Sequence, residues 1–324
     1  MKKIIFVLSV GLISLGLLLT TTSVAFAFEI QKLSSVPLAN DFTLGPGKVE
    51  VLMDAGTTVT KSLMITNRLG KQTRFKVELE NFVGSNNGDS ASVLIGAEKS
   101  PYALRDYLHP EITEFTLEHG ERMVLPVNIV IPENMAPGGL YGSVIISTIP
   151  DELPNNETGQ NAEGQIQVIG RVGCLFFIRV KGDVKEEGSL VSFDTVKSKH
   201  FYQKTPIAFS ILYSNQGNVH LNPYGTIKIK NILGREIGSV NVDAYFAMPQ
   251  SKRYREAQWD KGLSIGIYTA SLALNRGYSD IIDNAKVRFF VFPLKTVGII
   301  AICIALFVAL IWFLGSRFEF KKKK

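Results

Sequence analysis

Four histidines, at 109, 119, 200 and 220, are the side chains best suited to metal binding or acid–base work, and their spacing serves neither. No two stand at i and i+4, and no cysteine is spaced to complete a zinc site. Each reads as a surface or turn residue. Gly88-Asp89-Ser90 has the letters of a serine-hydrolase block, but it lies in an Asn-rich turn after an alternating strand, without the strand-to-helix elbow that exposes such a serine. Asn86, Asn87 and Asp89 offer oxygens to calcium with too few carboxylates. A hairpin turn at 85–90 accounts for all of them. Lys252, Arg253, Tyr254 and Arg255 with Trp259 form the densest basic–aromatic cluster. An alternating strand, with Lys252 and Tyr254 on one face and Arg253 and Arg255 on the other, explains it more simply than a binding patch. No nucleophile, base and acid converge, so the expectation is a protein that is not an enzyme. It has no catalytic residue, no metal ligand and no cofactor, and its ligand-binding residues stay unnamed.

The elements that would position any site read as strands. Residues 74–80 alternate strictly, with Phe75, Val77 and Leu79 on one face and charges on the other, the pattern of a half-buried antiparallel strand. Further strands are predicted over 49–53, 57–67, 114–117, 124–131, 140–147 and 166–180, the last nearly all apolar at 174–178. Pro126, inside 124–131, argues for a sheet edge or a bulge. One short helix is expected within 101–109, and a long polar loop over 150–164. A charged break at 181–188 marks a domain boundary. Strands at 190–193, 207–213, 225–230, 237–243, 252–258 and 266–274 follow, separated by Gly, Pro and Asn turns. No βαβ alternation occurs, which removes dinucleotide and P-loop folds. The expected fold is all-β, with two tandem immunoglobulin-like β-sandwich domains at 28–182 and 183–293.

The two ends are apolar. Lys2 and Lys3, the apolar run 4–19 and Ala25-Phe26-Ala27 are a secretory leader by pattern, so 1–27 is expected to be removed. Residues 296–315 hold no ionisable side chain, and Arg317 and Lys321 to Lys324 follow. The expectation is one C-terminal transmembrane helix with a basic cytoplasmic tail at 316–324, holding the rest outside the cytoplasmic membrane. The formal charge of +6 comes from these ends, because residues 4–316 carry 28 basic and 28 acidic side chains. Affinity for nucleic acid therefore loses its main support. Cys174 falls in a strand and Cys303 in the terminal apolar run, so no disulfide is expected, and the sequon Asn156-Glu157-Thr158 is expected to carry no glycan.

Asp54-Ala55-Gly56 with Leu63-Met64-Ile65-Thr66-Asn67 resembles the opening strands of the WxL-interacting proteins of Gram-positive bacteria. Leu117-Glu118-His119-Gly120-Glu121 and Pro137-Gly138-Gly139-Leu140-Tyr141-Gly142 are similar to later segments of that family. Turn glycines and strand starts of this kind also recur in pilus-chaperone-like domains. The resemblance implies an envelope protein whose first domain engages peptidoglycan and whose second engages a host or partner surface, with a separate WxL protein bound nearby. Loops carry contacts on a rigid β scaffold, so 85–90 and 150–164 are the expected contact segments. Trp312-Phe313-Leu314 spells W-x-L by chance. The alternative function is an assembly accessory, membrane-tethered and chaperone-like, that donates or receives a strand. A cell-wall enzyme is the third.

Overall fold

A computed structural model of the chain describes residues 28–150, 168–292 and 294–317. The expected leader 1–27, the sequon, the loop after Pro150 and the tail beyond 317 lie outside the described residues. In the first half, β1 (Glu29–Lys32), β2 (Phe42–Gly45), β4 (Thr58–Asn67), β7 (Leu108–Pro110) and β9 (Glu121–Val130) form one antiparallel sheet. Its order is β1-β9-β4-β2, with β7 also on β9. Facing it are β3 (Lys48–Met53), β5 (Thr73–Val83), β6 (Val93–Gly96), β8 (Glu114–Leu117), β10 (Gly138–Ile149) and β11 (Arg171–Val180), in the order β3-β11-β10-β5-β6 with β8 on β5. The pairing of β3 with β11 is parallel.

The second half repeats the plan. β12 (Gly188–Thr195), β14 (Ile207–Asn215) and β17 (Ser251–Trp259) form a three-stranded sheet. β13 (Phe201–Tyr202), β15 (Tyr224–Asn231), β16 (Glu236–Val242), β18 (Gly266–Asn275) and β19 (Ile282–Val291) form a five-stranded one, ordered β13-β19-β18-β15-β16. Leu63, Ile65, Phe75, Leu125, Val127, Val144 and Phe176 fill the first core, and Phe209, Ile211, Ile227, Trp259, Leu272 and Phe289 the second. Period-two alternation puts them there: Phe75 and Val77 are buried where Arg74 is exposed and Lys76 half-buried.

Three expectations change. Residues 101–109 are a turn, a 3-10 helix at Arg105–Tyr107 and the start of β7, because Leu104 and Leu108 are both fully buried with only one turn between them. Pro126 lies in a strand paired on both sides rather than at an edge or bulge. It falls where β1 has ended, at Val124, and β7 begins, at Val127, so its missing N–H removes no ladder bond. The transmembrane part of the expected fold is also corrected. Leu294–Arg317, α1, is a helix of 24 residues, but among the described residues no helix is long and apolar enough to cross a membrane. The membrane as partner and the location in it are withdrawn with it.

β11 explains how the sandwiches meet. Cys174, Phe176, Ile178 and Val180 point into the first core, while Phe177, on the opposite face, joins Phe82, Tyr141 and Met248 in a third buried cluster. The run 174–178 is apolar throughout because both its faces are covered. Phe246 and His220 of the second sandwich stand 5.0 Å from the Phe177 ring centroid. The His220 backbone N–H donates to Tyr141 Oη at 2.7 Å. The Gly139 N–H donates to the Asn218 carbonyl at 2.9 Å, and Asn218 Nδ2 to the Pro137 carbonyl at 3.2 Å.

Burial lowers the His220 pKa to about 4, with Glu50 opposing and Lys48 and Arg179 adding to the shift. The unfolded chain, with the ordinary value near 6.5, therefore takes the proton first. Stability is full above about pH 6.5, falls as pH drops towards about 4 and levels off below, a loss of about 3 kcal/mol from this residue. Urea titrations at pH 7 and pH 4.5 should show that loss, and His220→Gln should remove most of the difference.

Candidate functional site

The inward-facing series of β11 does not stop where its cover stops. Val180, Ile178, Phe176 and Cys174 are buried, and the same face continues to Val172, with Gly170 and Val168 in the irregular segment just before the strand. Val172 is 37% exposed and Val168 85%. The reason lies in β3, whose pairing with β11 begins at Lys48–Leu175. Its last hydrogen bond there runs from the Leu175 N–H to the Gly47 carbonyl, 3.0 Å. Before Gly47 the chain belongs to the opposite sheet, as β2 on β4. Gly45-Pro46-Gly47 is the crossing point, and a proline cannot donate to a ladder.

The consequence is an open edge. The Leu175 N–H points away from β10, so by the two-residue period the backbone groups of Gly173 and Arg171 point the same way. Among the described residues no strand pairs with that side of 171–173. Beneath the edge, between the two sheets, is a cleft of about 500 Å³. Phe42, Leu69, Thr148, Val168, Gly170 and Val172 line it. Phe42 stacks edge-on against Phe75 with centroids 5.2 Å apart, which makes the floor part of the first core.

Charges ring the cleft in fixed pairs. Arg68 donates to both oxygens of Asp41, Nε to Oδ1 at 2.7 Å and Nη2 to Oδ2 at 2.6 Å. That guanidinium holds the Asp41 carboxyl below its ordinary pKa. Arg171 pairs with Glu80, and its Nε stands 3.5 Å from Glu78. The hydroxyl of Ser147 donates to Glu78 at 2.7 Å and, with Lys76, holds that carboxyl low. Those partners favour the charged forms of Asp41 and Glu78. The site offers apolar contact from its lining and unpaired backbone groups at its edge.

The side chains singled out by type lie elsewhere. His119 is a brace: its Nδ1 accepts the Gly70 N–H at 3.2 Å, and Nε2 lies 3.1 Å from the Val36 carbonyl. His109 and His200 are exposed, the latter 3.7 Å from Asp194. The 85–90 turn and the Lys252–Arg255 cluster, far apart in sequence, pack on each other. Tyr254 N–H donates to the Gly88 carbonyl at 3.1 Å, and Arg253 reaches the carbonyls of Gly88 and Asp89 at 3.4 and 3.5 Å. The turn expected to touch a ligand is thus part of the seam between the sandwiches, and Asn87 Nδ2 binds Asp89 at 2.7 Å instead of a cation. Trp259 is core. Among the described residues no group of three or more His, Cys, Asp or Glu could hold a metal ion. Burial pushes the Cys174 thiol up to about 12, so it is no nucleophile. The residues missed by type, Val168, Gly170 and Val172, stood inside a predicted strand, and their alternation was the available signal.

A β fold with an open strand edge over an apolar cleft is the class these observations define. No family model matches the chain, and no curated protein matches it. Among solved structures it is similar to one described as a chaperone–tip adhesin complex of CFA/I fimbriae biogenesis, at 10% identity and a TM-score of 0.40, covering 77% of this chain and 98% of that one. It is similar to the class 5 fimbriae chaperone CfaA at 11% identity and 0.39, covering 77% and 99%. It is similar to the Salmonella enterica SafA pilin in complex with the SafB chaperone at 12% and 0.36, covering 80% and 100%. The resemblance to WxL-interacting proteins is corrected accordingly: no family model carries it, and fimbrial chaperones are among the structures similar to the chain. The complexes among them hold a tip adhesin or a pilin, and peptidoglycan and a WxL protein are withdrawn as expected partners.

One wall of the cleft depends on Asn67, which is fully buried. Its Nδ2 donates to the carbonyls of Lys71 and Leu117, both at 2.8 Å, and its Oδ1 accepts the Leu69 N–H at 2.9 Å. Asn67→Ala orphans these backbone groups and should cost about 2–4 kcal/mol in denaturant unfolding, and Asn67→Asp, which sets a buried carboxylate oxygen against the two carbonyls, should cost at least as much at neutral pH.

Proposed function

We propose that this chain is a non-catalytic assembly accessory that binds an extended segment of a partner protein by adding it as a strand to the open edge of β11. The observation that carries this reading is Val172, which continues the core face of β11 past the start of β3, with Gly170 and Val168 lining the cleft beside it. A strand laid there gains hydrogen bonds from Arg171 and Gly173, and its inward side chains enter the cleft over Phe42. Covering Val168 and Val172 would contribute roughly 1–2 kcal/mol each, and each new backbone bond about 1. In this reading 28–182 and 183–293 are the two domains, the first binds, and the second sets its orientation through the Phe177–His220 seam.

The test uses synthetic peptides of alternating apolar and polar residues and the full chain. Binding should weaken about tenfold or more with Val172→Asp. N-methylation of alternate peptide backbone nitrogens should abolish binding in one register and spare it in the other, because only every second N–H faces β11. Equal tolerance of both methylation registers would reduce the site to a side-chain pocket and end the strand-addition reading.

A further inference from the structure

Far from that edge, the outer face of the five-stranded sheet in the second sandwich gathers cations. Lys230 on β15, Thr269 on β18 and Arg288 on β19 stand in one cross-strand row, and Lys228, Ser271 and Lys286 in the row two residues on. Between these rows Ile229, Ala270 and Val287 are buried, so the alternation turns all six outward. Strands about 4.8 Å apart and a rise of about 3.3 Å per residue place the four cations at the corners of a rectangle of roughly 10 by 7 Å, with the two hydroxyls along its midline. Lys230, Thr269, Ser271, Lys286 and Arg288 line a broad, shallow cleft. Glu236 is 3.5 Å from Lys228. Among the described residues, Lys230, Lys286 and Arg288 have no carboxylate partner.

Three unpaired cations beside the Lys228–Glu236 pair repel one another in the free protein, and a ligand that brings several negative charges relieves that. A single phosphate reaches one row; a chain of phosphates lies across both. Arg288 offers a forked donor to phosphate oxygens, and Thr269 and Ser271 offer hydroxyl donors between the cations. We infer that this face binds a linear polyanion with repeated phosphate groups, independently of strand addition at β11. Each phosphate neutralised releases condensed counterions, so affinity falls with salt with a log–log slope of about −0.7 per contact, near −3 for four.

The probe is inorganic polyphosphate, titrated against the full chain at about 50 mM salt and upwards. Binding is expected with that slope, with a loss of about tenfold or more in Lys230→Glu combined with Arg288→Glu. A milder pair, Lys286→Gln with Arg288→Gln, should weaken it severalfold and reduce the slope by about 1. Lys252→Glu, an exposed cation on the other sheet, should change it less than twofold. Circular dichroism should confirm that the exposed substitutions leave the β signal intact. Absence of polyphosphate binding, or equal weakening by Lys252→Glu, overturns the inference. Binding of polyglutamate as tight as that of polyphosphate overturns the phosphate assignment, and retention by anionic phospholipid vesicles without polyphosphate binding overturns the polymer.

Discussion

β11 is buried on both faces along its second half and on neither along its first, and the rest of the structure follows from that inequality. The covered half holds the molecule together: one face closes the first core through Phe176 and Ile178, and the other carries Phe177 to the second sandwich. The uncovered half has the same inward alternation and, among the described residues, no strand on the side away from β10. Where one becomes the other is decided by β3, and β3 begins where Gly45-Pro46-Gly47 moves the chain from one sheet to the next. A proline between two glycines is a local instruction with a distant effect.

The seam between the sandwiches is of mixed chemistry, and that sets its properties. Aromatic contacts of Phe177 with Phe82, Tyr141, His220 and Phe246 give it area. Backbone bonds from the Gly139 N–H to the Asn218 carbonyl and from the Tyr254 N–H to the Gly88 carbonyl give it register. Gly84 is pressed so close to Ser251 and Met248 that a side chain there has no room. Two separated contacts of this kind resist rotation better than one apolar patch of the same area. Burying His220 in it ties this rigidity to pH, since the imidazole must stay neutral to remain there.

Much of this was legible in the alternation. The strands at 74–80, 114–117 and 252–258 stand within a few residues of β5, β8 and β17, because half-buried strands print their period in the sequence. β19 was not read, although Val287, Phe289 and Val291 alternate. Its opening inward residues are Asp283 and Ala285, and Asp283 faces in only because Arg276 and the Leu190 N–H bind it. β1, β2, β7 and β13 run for two to four residues, too few to show a period. The cleft was invisible for another reason. Val168 and Val172 read as ordinary strand residues, and whether a strand is covered depends on a segment more than a hundred residues away. The turn at 85–90 reads as a hairpin open to a ligand and 252–255 as a solvated strand face, whereas Tyr254 and Arg253 bind the carbonyls of that turn.

An open edge is a hazard as well as an opportunity, because any extended chain can pair with it, including a second copy. This one carries its own restraints. Gly170 and Gly173 lower the strand propensity of the uncovered half, so it offers backbone groups without a continuous apolar ribbon. Arg171, between them, is anchored to Glu78 and Glu80 on the outward face, which places fixed charge beside the vacancy. Identical copies approaching edge to edge would bring Arg171 and its acids against the same set, whereas a foreign strand can be of complementary charge. The cleft adds selection, since a partner must supply apolar side chains at two-residue spacing to fill it over Phe42. Weak intrinsic pairing, a charged border and an apolar floor together favour capture of one kind of segment over indiscriminate association.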